Sequence, residues 1–265
     1  MNFFAYGCSF TYGAELADQH FCKKTREETE RIKSSMSQPE FRNKYITGRE
    51  DEYENLMHER SYASRIAKII GAKKYINRAV SGGSNMHMFY NILEDIKTGK
   101  ITTNDVIFVG LTSPQRYVWY DKTSSQFRST TVSGGPWPSE KFRKQYATNV
   151  SDQDYVLQIV QTFYAIKEIT KDFKFFYQTT WWPYTHTYKK HEVNNNSLYS
   201  CLTDIDNNAL IPNIGLFYEL PEPANYTKYS HTFGHPYQEY HVSYGNKLGH
   251  ALLSELSKLN NGTKL

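Results

Sequence analysis

Cysteine is scarce in this chain. Cys8, Cys22 and Cys201 are the three among 265 residues, an odd number without a C-x-x-C spacing, which excludes a disulfide framework and a zinc ribbon. A reducing compartment fits such usage. Long apolar runs are missing too: none approaches the roughly 18 residues of a membrane span, and the first residues carry neither a basic n-region nor a long h-region. The expectation is a soluble protein made in a cytosol, with no membrane partner. Charge of one sign is not concentrated either. The formal net charge of +4 is spread along the chain, and with no Lys/Arg block to track a phosphate backbone, no nucleic-acid partner is expected. Internal repeats and low-complexity segments are absent. Aromatic residues, by contrast, are plentiful at 15%, with 22 Tyr and 15 Phe, enough to fill a core and line a binding surface.

The length suits one domain, 1–265, with insertions. The run "NFFAY" reads as a short buried strand over 2–6, stopped by Gly7. Residues 18–60 are charge-dense and poor in aliphatics, and read as a solvated insertion, the least ordered stretch, with one helical piece near 24–35. From Ser61 a helix follows, with Tyr62, Ile66, Ile69 and Ile70 on one face and Gly71 closing it. A strand near 74–78, a turn at Gly82 and Gly83, and a helix over 85–97 come next. "DVIFVGL", 105–111, has the continuous apolar character of a buried parallel strand. "SDQD" at 151–154 is a capping box before a long amphipathic helix, "FKFFYQ" at 173–178 is a further strand, and a final helix starts near Tyr237. The Ser-, Thr- and Gly-rich stretch 119–150 reads as a long loop. Strands alternating with helices predict an α/β fold, a doubly wound parallel sheet flanked by helices, whose ligands bind at the carboxyl ends of the strands.

Four stretches fall at or just past such ends: "GCSFTYG", "NRAVSGGSN", "GLTSPQR" and "GHPYQEYH". Ser9, in the first, is placed to offer its hydroxyl as a nucleophile and its own N–H to an oxyanion, and it requires a base. His235, held between Gly234 and Pro236, is the candidate base. Gly82 is the candidate for a second oxyanion N–H, since a missing side chain lets substrate approach the backbone. Cys8 reads as a small buried hydrophobe. "GCSFTYG" lacks the G-K-[ST] ending of a phosphate loop. His231, His235 and His241 lack the spacing of a metal site, because Gly234 and Pro236 break the helix that would align them; no metal and no cofactor is expected. "QTTWWPYTHTY", 178–188, overhangs the same rim, and Trp181, Trp182 and Tyr184 are candidates for stacking on a sugar.

In this order the blocks resemble the SGNH, or GDSL-type, hydrolase family, in the divergent form common among phage-encoded proteins. Gly7-Cys8-Ser9 matches the G-D-S turn with Cys8 in place of Asp; Asn77 and Gly82 match the second block. Gly110-Leu111-Thr112 aligns with the third, Thr112 standing where the oxyanion Asn belongs and Arg116 close by as a substrate contact. Thr232-Phe233-Gly234-His235-Pro236 aligns with the last, Thr232 standing where the acid that orients the histidine belongs; Glu239 is a substitute acid. The resemblance implies an SGNH-like, flavodoxin-like three-layer domain acting as a serine esterase: Ser9 attacks an acyl ester, such as an O-acetyl group on a glycan, with His235 as base and Ser9, Gly82 and Thr112 holding the oxyanion. The departures at Thr112 and Thr232 also fit a catalytically weak or inactive phage structural or glycan-binding protein, and the same residues serve an O-acyltransferase. A phage-encoded protein of this kind resides in the host cytoplasm or in the virion.

Overall fold

The computed structural model describes residues 1–113, 116–122, 126–131, 139–180, 183–188, 193, 195–215 and 235–261. In chain order the elements begin with β1 (Phe3–Tyr6), α1 (Ser9–Tyr12), α2 (Asp18–Cys22), α3 (Arg26–Ser34), α4 (Gln38–Tyr45), α5 (Glu50–Arg60) and α6 (Tyr62–Ile69). They continue with β2 (Tyr75–Asn77), α7 (Asn85–Lys97), β3 (Val106–Leu111), β4 (Arg116–Asp121), β5 (Gln126–Thr131), α8 (Glu140–Asn149) and α9 (Asp152–Ile169). The last are β6 (Lys174–Thr179), α10 (Tyr184–Thr187), α11 (Asn196–Asn207) and α12 (Gln238–Asn260).

The four stretches anticipated as strands form one parallel sheet in the order β2-β1-β3-β6. Successive side chains of a strand face opposite ways, and each way meets helices. Phe3 stacks on Phe108 and Phe108 meets Tyr62 of α6, against which α12 packs. On the other face the Tyr6 hydroxyl donates to Asp95 of α7 at 2.8 Å, and Tyr177 of β6 packs edge-on against Phe163 of α9. The protein is thus mixed α/β, a parallel sheet flanked by helices. Because β2 and β3 lie on opposite sides of β1, the carboxyl ends of β1 and β3 frame a crevice where parallel sheets bind ligands. Register aligns Tyr6 with Val109 and Ala5 with Asn77, so the turns after the three strands start at one level.

Two expectations are corrected. Residues 18–60 hold α2, α3, α4 and α5 rather than one helical piece, closed over a second apolar cluster of Ala17, Phe21, Cys22, Phe41, Ile46, Tyr53 and Met57. Few apolar residues suffice because capping boxes at Thr25–Glu28 and Ser37–Glu40 satisfy the first-turn amides of α3 and α4. The stretch 119–150 is not a long loop. It contains most of the antiparallel β4–β5 hairpin, and α8. Among the described residues no helix is long and apolar enough to cross a membrane.

Candidate active site

Ser9 opens α1 directly beyond β1, and the turn that presents it is tightly built. A side chain at Gly7 would run into that of Thr11, and one at Gly13, whose φ is +85°, into the Met57 carbonyl of α5. Thr11 in turn is tied to α6 by a 2.7 Å hydrogen bond between its hydroxyl and that of Tyr62. Ser9 itself is 5% exposed, and neither its hydroxyl nor its N–H forms a hydrogen bond among the described residues. Cys8 is fully buried, its Sγ 3.9 Å from the Thr180 hydroxyl.

The loop after β2 lies against this turn. Asn77 Nδ2 donates to the Thr11 carbonyl at 3.3 Å, and Val80 N–H donates to the Gly7 carbonyl at 3.1 Å. A Cβ at Gly83 would stand 3.2 Å from that same carbonyl, so the close approach requires glycine there. Gly82, at φ +79°, has open space where a side chain would be, and its N–H has no acceptor among the described residues.

Thr112, just past β3, is 1% exposed and clamped from both sides. Its N–H donates to Asn85 Oδ1 at 2.9 Å, and its carbonyl accepts from Asn85 Nδ2 at 3.2 Å and from the Tyr184 hydroxyl at 2.8 Å. Its own hydroxyl is buried with no partner among the described residues. Arg116 reaches back from β4 and donates from Nη1 to the Gly83 carbonyl at 2.7 Å, beside a small recess lined by Ser84, Asn85, Ser113, Gln158 and Ile159.

His235 stands next to the Ser9 turn. Its ring packs edge-on against Phe10, the neighbour of Ser9, at 5.3 Å between centroids, and its Nδ1 lies 3.1 Å from Glu15 Oε1. Glu15, 3% exposed, takes an αL backbone with φ +68°, rare outside glycine, and comes from the same short segment as Ser9. Its other oxygen, Oε2, accepts from Lys33 Nζ at 3.1 Å. Lys33 Nζ also lies 2.8 Å from Asp18 Oδ2, and Asp18 Oδ1 accepts from the Tyr53 hydroxyl. His235 Nδ1 and Glu15 Oε1 face each other closely but without the alignment of a hydrogen bond, and an acid beside a ring nitrogen is the placement that an acid–histidine pair uses.

Glu239, the substitute acid expected from sequence, points elsewhere. It is exposed and pairs with Arg26 at 2.7 Å, while Glu15 occupies the position beside the imidazole. Tyr184 is corrected as well: at 3% exposure, with its hydroxyl bonded to Thr112 and Asn85, it is a core residue and offers no face to a sugar. Trp181, Trp182, His231 and Thr232 lie outside the described residues. His241 is buried in α12 and accepts from the Tyr62 N–H, away from any cluster. Among the described residues no group of three His, Cys, Asp or Glu side chains is arranged to hold a metal ion.

Sequence reasoning missed Glu15 and Asn85. The signal for Glu15 is a lone acid within "YGAELA", flanked by Ala14 and Leu16, both buried; a carboxylate surrounded by apolar neighbours just after a serine turn needs an internal partner. Asn85 follows the Ser84 cap of α7 and carries no distinguishing pattern. No protein-family model and no curated protein matches the chain.

Proposed function

We propose that the protein is a serine esterase of the SGNH type, on a doubly wound three-layer version of the α/β fold, acting on an acyl ester such as the O-acetyl group of a glycan. The observation that carries the reading is the 3.1 Å contact between His235 Nδ1 and Glu15, beside the turn that presents Ser9. In this mechanism Ser9 Oγ attacks the ester carbonyl and His235 Nε2 takes its proton. Glu15, in place of Thr232 or Glu239, keeps Nδ1 protonated and stabilises the imidazolium. The tetrahedral oxyanion is met by the N–H groups of Ser9 and Gly82 and by the Thr112 hydroxyl, three donors that have no other acceptor among the described residues. His235 then protonates the departing alcohol, and water, deprotonated by the same imidazole, releases the acyl group from Ser9.

The test is covalent labelling with a fluorophosphonate together with turnover of p-nitrophenyl acetate. The wild-type chain is expected to label at Ser9 and turn over, and Ser9→Ala to do neither. Well-folded wild-type protein that does not label rejects the esterase in favour of a binding protein on the same fold. Turnover that rises on addition of a sugar hydroxyl identifies acyl transfer, the same acyl-enzyme being attacked by another acceptor.

A further inference from the structure

Lys33 is a lysine taken out of water. Its side chain has no exposure, although it belongs to a helix of the charge-dense region whose remaining face is solvated. It lies between Glu15 at 3.1 Å and Asp18 at 2.8 Å, with Glu30, one turn back on α3, at 3.9 Å. Burial works against the ammonium, but Asp18 and Glu15 outweigh it and raise its pKa, so it stays charged. Burial likewise pushes the Asp18 carboxyl above its ordinary value, while Lys33 and the Tyr53 hydroxyl pull it back down. Asp18 accepts from both of these donors, one on each oxygen, a geometry that suits the ionised form. A second tie joins the same helix to the base: the Arg26 guanidinium lies 3.3 Å over the ring of Tyr237 and pairs with Glu239, flanking His235 on the carboxyl side.

We infer that Lys33 is a positioning residue for His235: by balancing one of two buried carboxylates it keeps Glu15 ionised, and an ionised Glu15 fixes the imidazole as the Nδ1–H tautomer with Nε2 free to accept a proton. The inference rests on the esterase reading and deepens it. Without Lys33 the buried carboxylates of Glu15 and Asp18 lose the cation they share, which favours uptake of a proton by one of them. If Glu15 does so, it becomes a donor toward Nδ1, the imidazole moves its proton to Nε2, and the base is lost. The helices of 18–60 are then part of the catalytic apparatus, since α3 supplies the charge that sets the tautomer.

The experiment compares the full-length wild type with Lys33→Met and with Lys33→Met/Asp18→Asn, which removes one carboxylate with the cation and so restores the net charge. Ring-nitrogen NMR assigned with His235→Asn reports the tautomer at neutral pH, and p-nitrophenyl acetate reports kcat and KM. Lys33→Met is expected to move His235 to the Nε2–H form and lower kcat on the order of 10²–10⁴-fold with KM little changed, and the double variant to regain the Nδ1–H form and most of kcat. A folded Lys33→Met that keeps the wild-type tautomer and kcat overturns the inference, as does a double variant no better than the single one. If the single variant does not fold, the tautomer of the double variant decides: Nδ1–H supports the inference, Nε2–H overturns it. A wild type without turnover rejects the esterase instead, and the NMR arm still judges Lys33 by itself.

Discussion

Glu15 holds a left-handed backbone conformation between a histidine and a buried lysine. For a side chain with a Cβ that conformation is unfavourable, and such positions gather at functional sites because the surroundings over-determine them. Glu15→Gln preserves size and burial but removes the charge that orders the ring. The expected result is a fall in kcat on the order of 10⁴, with KM and the circular dichroism spectrum close to wild type. A variant within tenfold of wild-type kcat would mean that another group orients His235. From sequence, the search for an acid stays near His235, at Thr232, where the family resemblance puts it, or at Glu239, four residues on. The turns that carry Ser9 and Gly82 were readable because glycine marks such turns locally. Glu15 was not, because its partner lies at the opposite end of the chain, and Glu239 was misassigned because an exposed first-turn glutamate is equally suited to an arginine from α3.

At the scale of elements, the α6–α12 pair carries the sheet face beneath the site. Two glycines of α12 let the helices approach: a Cβ at Gly245 would lie 2.8 Å from the Tyr62 carbonyl, and one at Gly249 2.6 Å from Ile69 Cδ1. Alanine gains up to about 1 kcal/mol of helix propensity over glycine, but overpacking against backbone that cannot yield costs about 1–3 kcal/mol. Gly245→Ala is therefore expected to be net destabilising and Gly245→Leu more so, as measured by urea unfolding; a gain in stability for the alanine would show that the helices can separate without loss. Strand positions were legible because continuous apolar runs such as "DVIFVGL" admit no solvated face. The helices of 18–60 were only partly so: the cap motifs stand in the sequence, but the seven residues of their small core are scattered over α2, α4, α5 and the residues that flank them. The β4–β5 hairpin was hidden by Ser and Thr, which serve turns and strands alike.

For the whole molecule, the acid limb of stability follows from two histidines. Burial holds the rings of His58 and His87 below their ordinary value of 6.5, and each has a buried nitrogen with no hydrogen-bond partner among the described residues. Below 6.5 the unfolded chain therefore binds more protons at these sites than the folded one, so stability rises with pH there. Their contribution is fully present above 6.5 and is lost as pH falls through the lowered folded values. Tm is expected to drop on acidification across this range, with a shallower slope in His58→Leu/His87→Leu; an unchanged slope in that variant would assign the acid limb to the carboxylates. By itself the sequence determined the periodicities, the strand ends and the glycine turns, since these depend on steric and hydrophobic rules acting over a few neighbouring residues. Only the tertiary structure decided which acid faces His235 and that Lys33 stands behind it. Burying a charge demands a partner in space, and nothing in the chain's local pattern says which distant residue that partner will be.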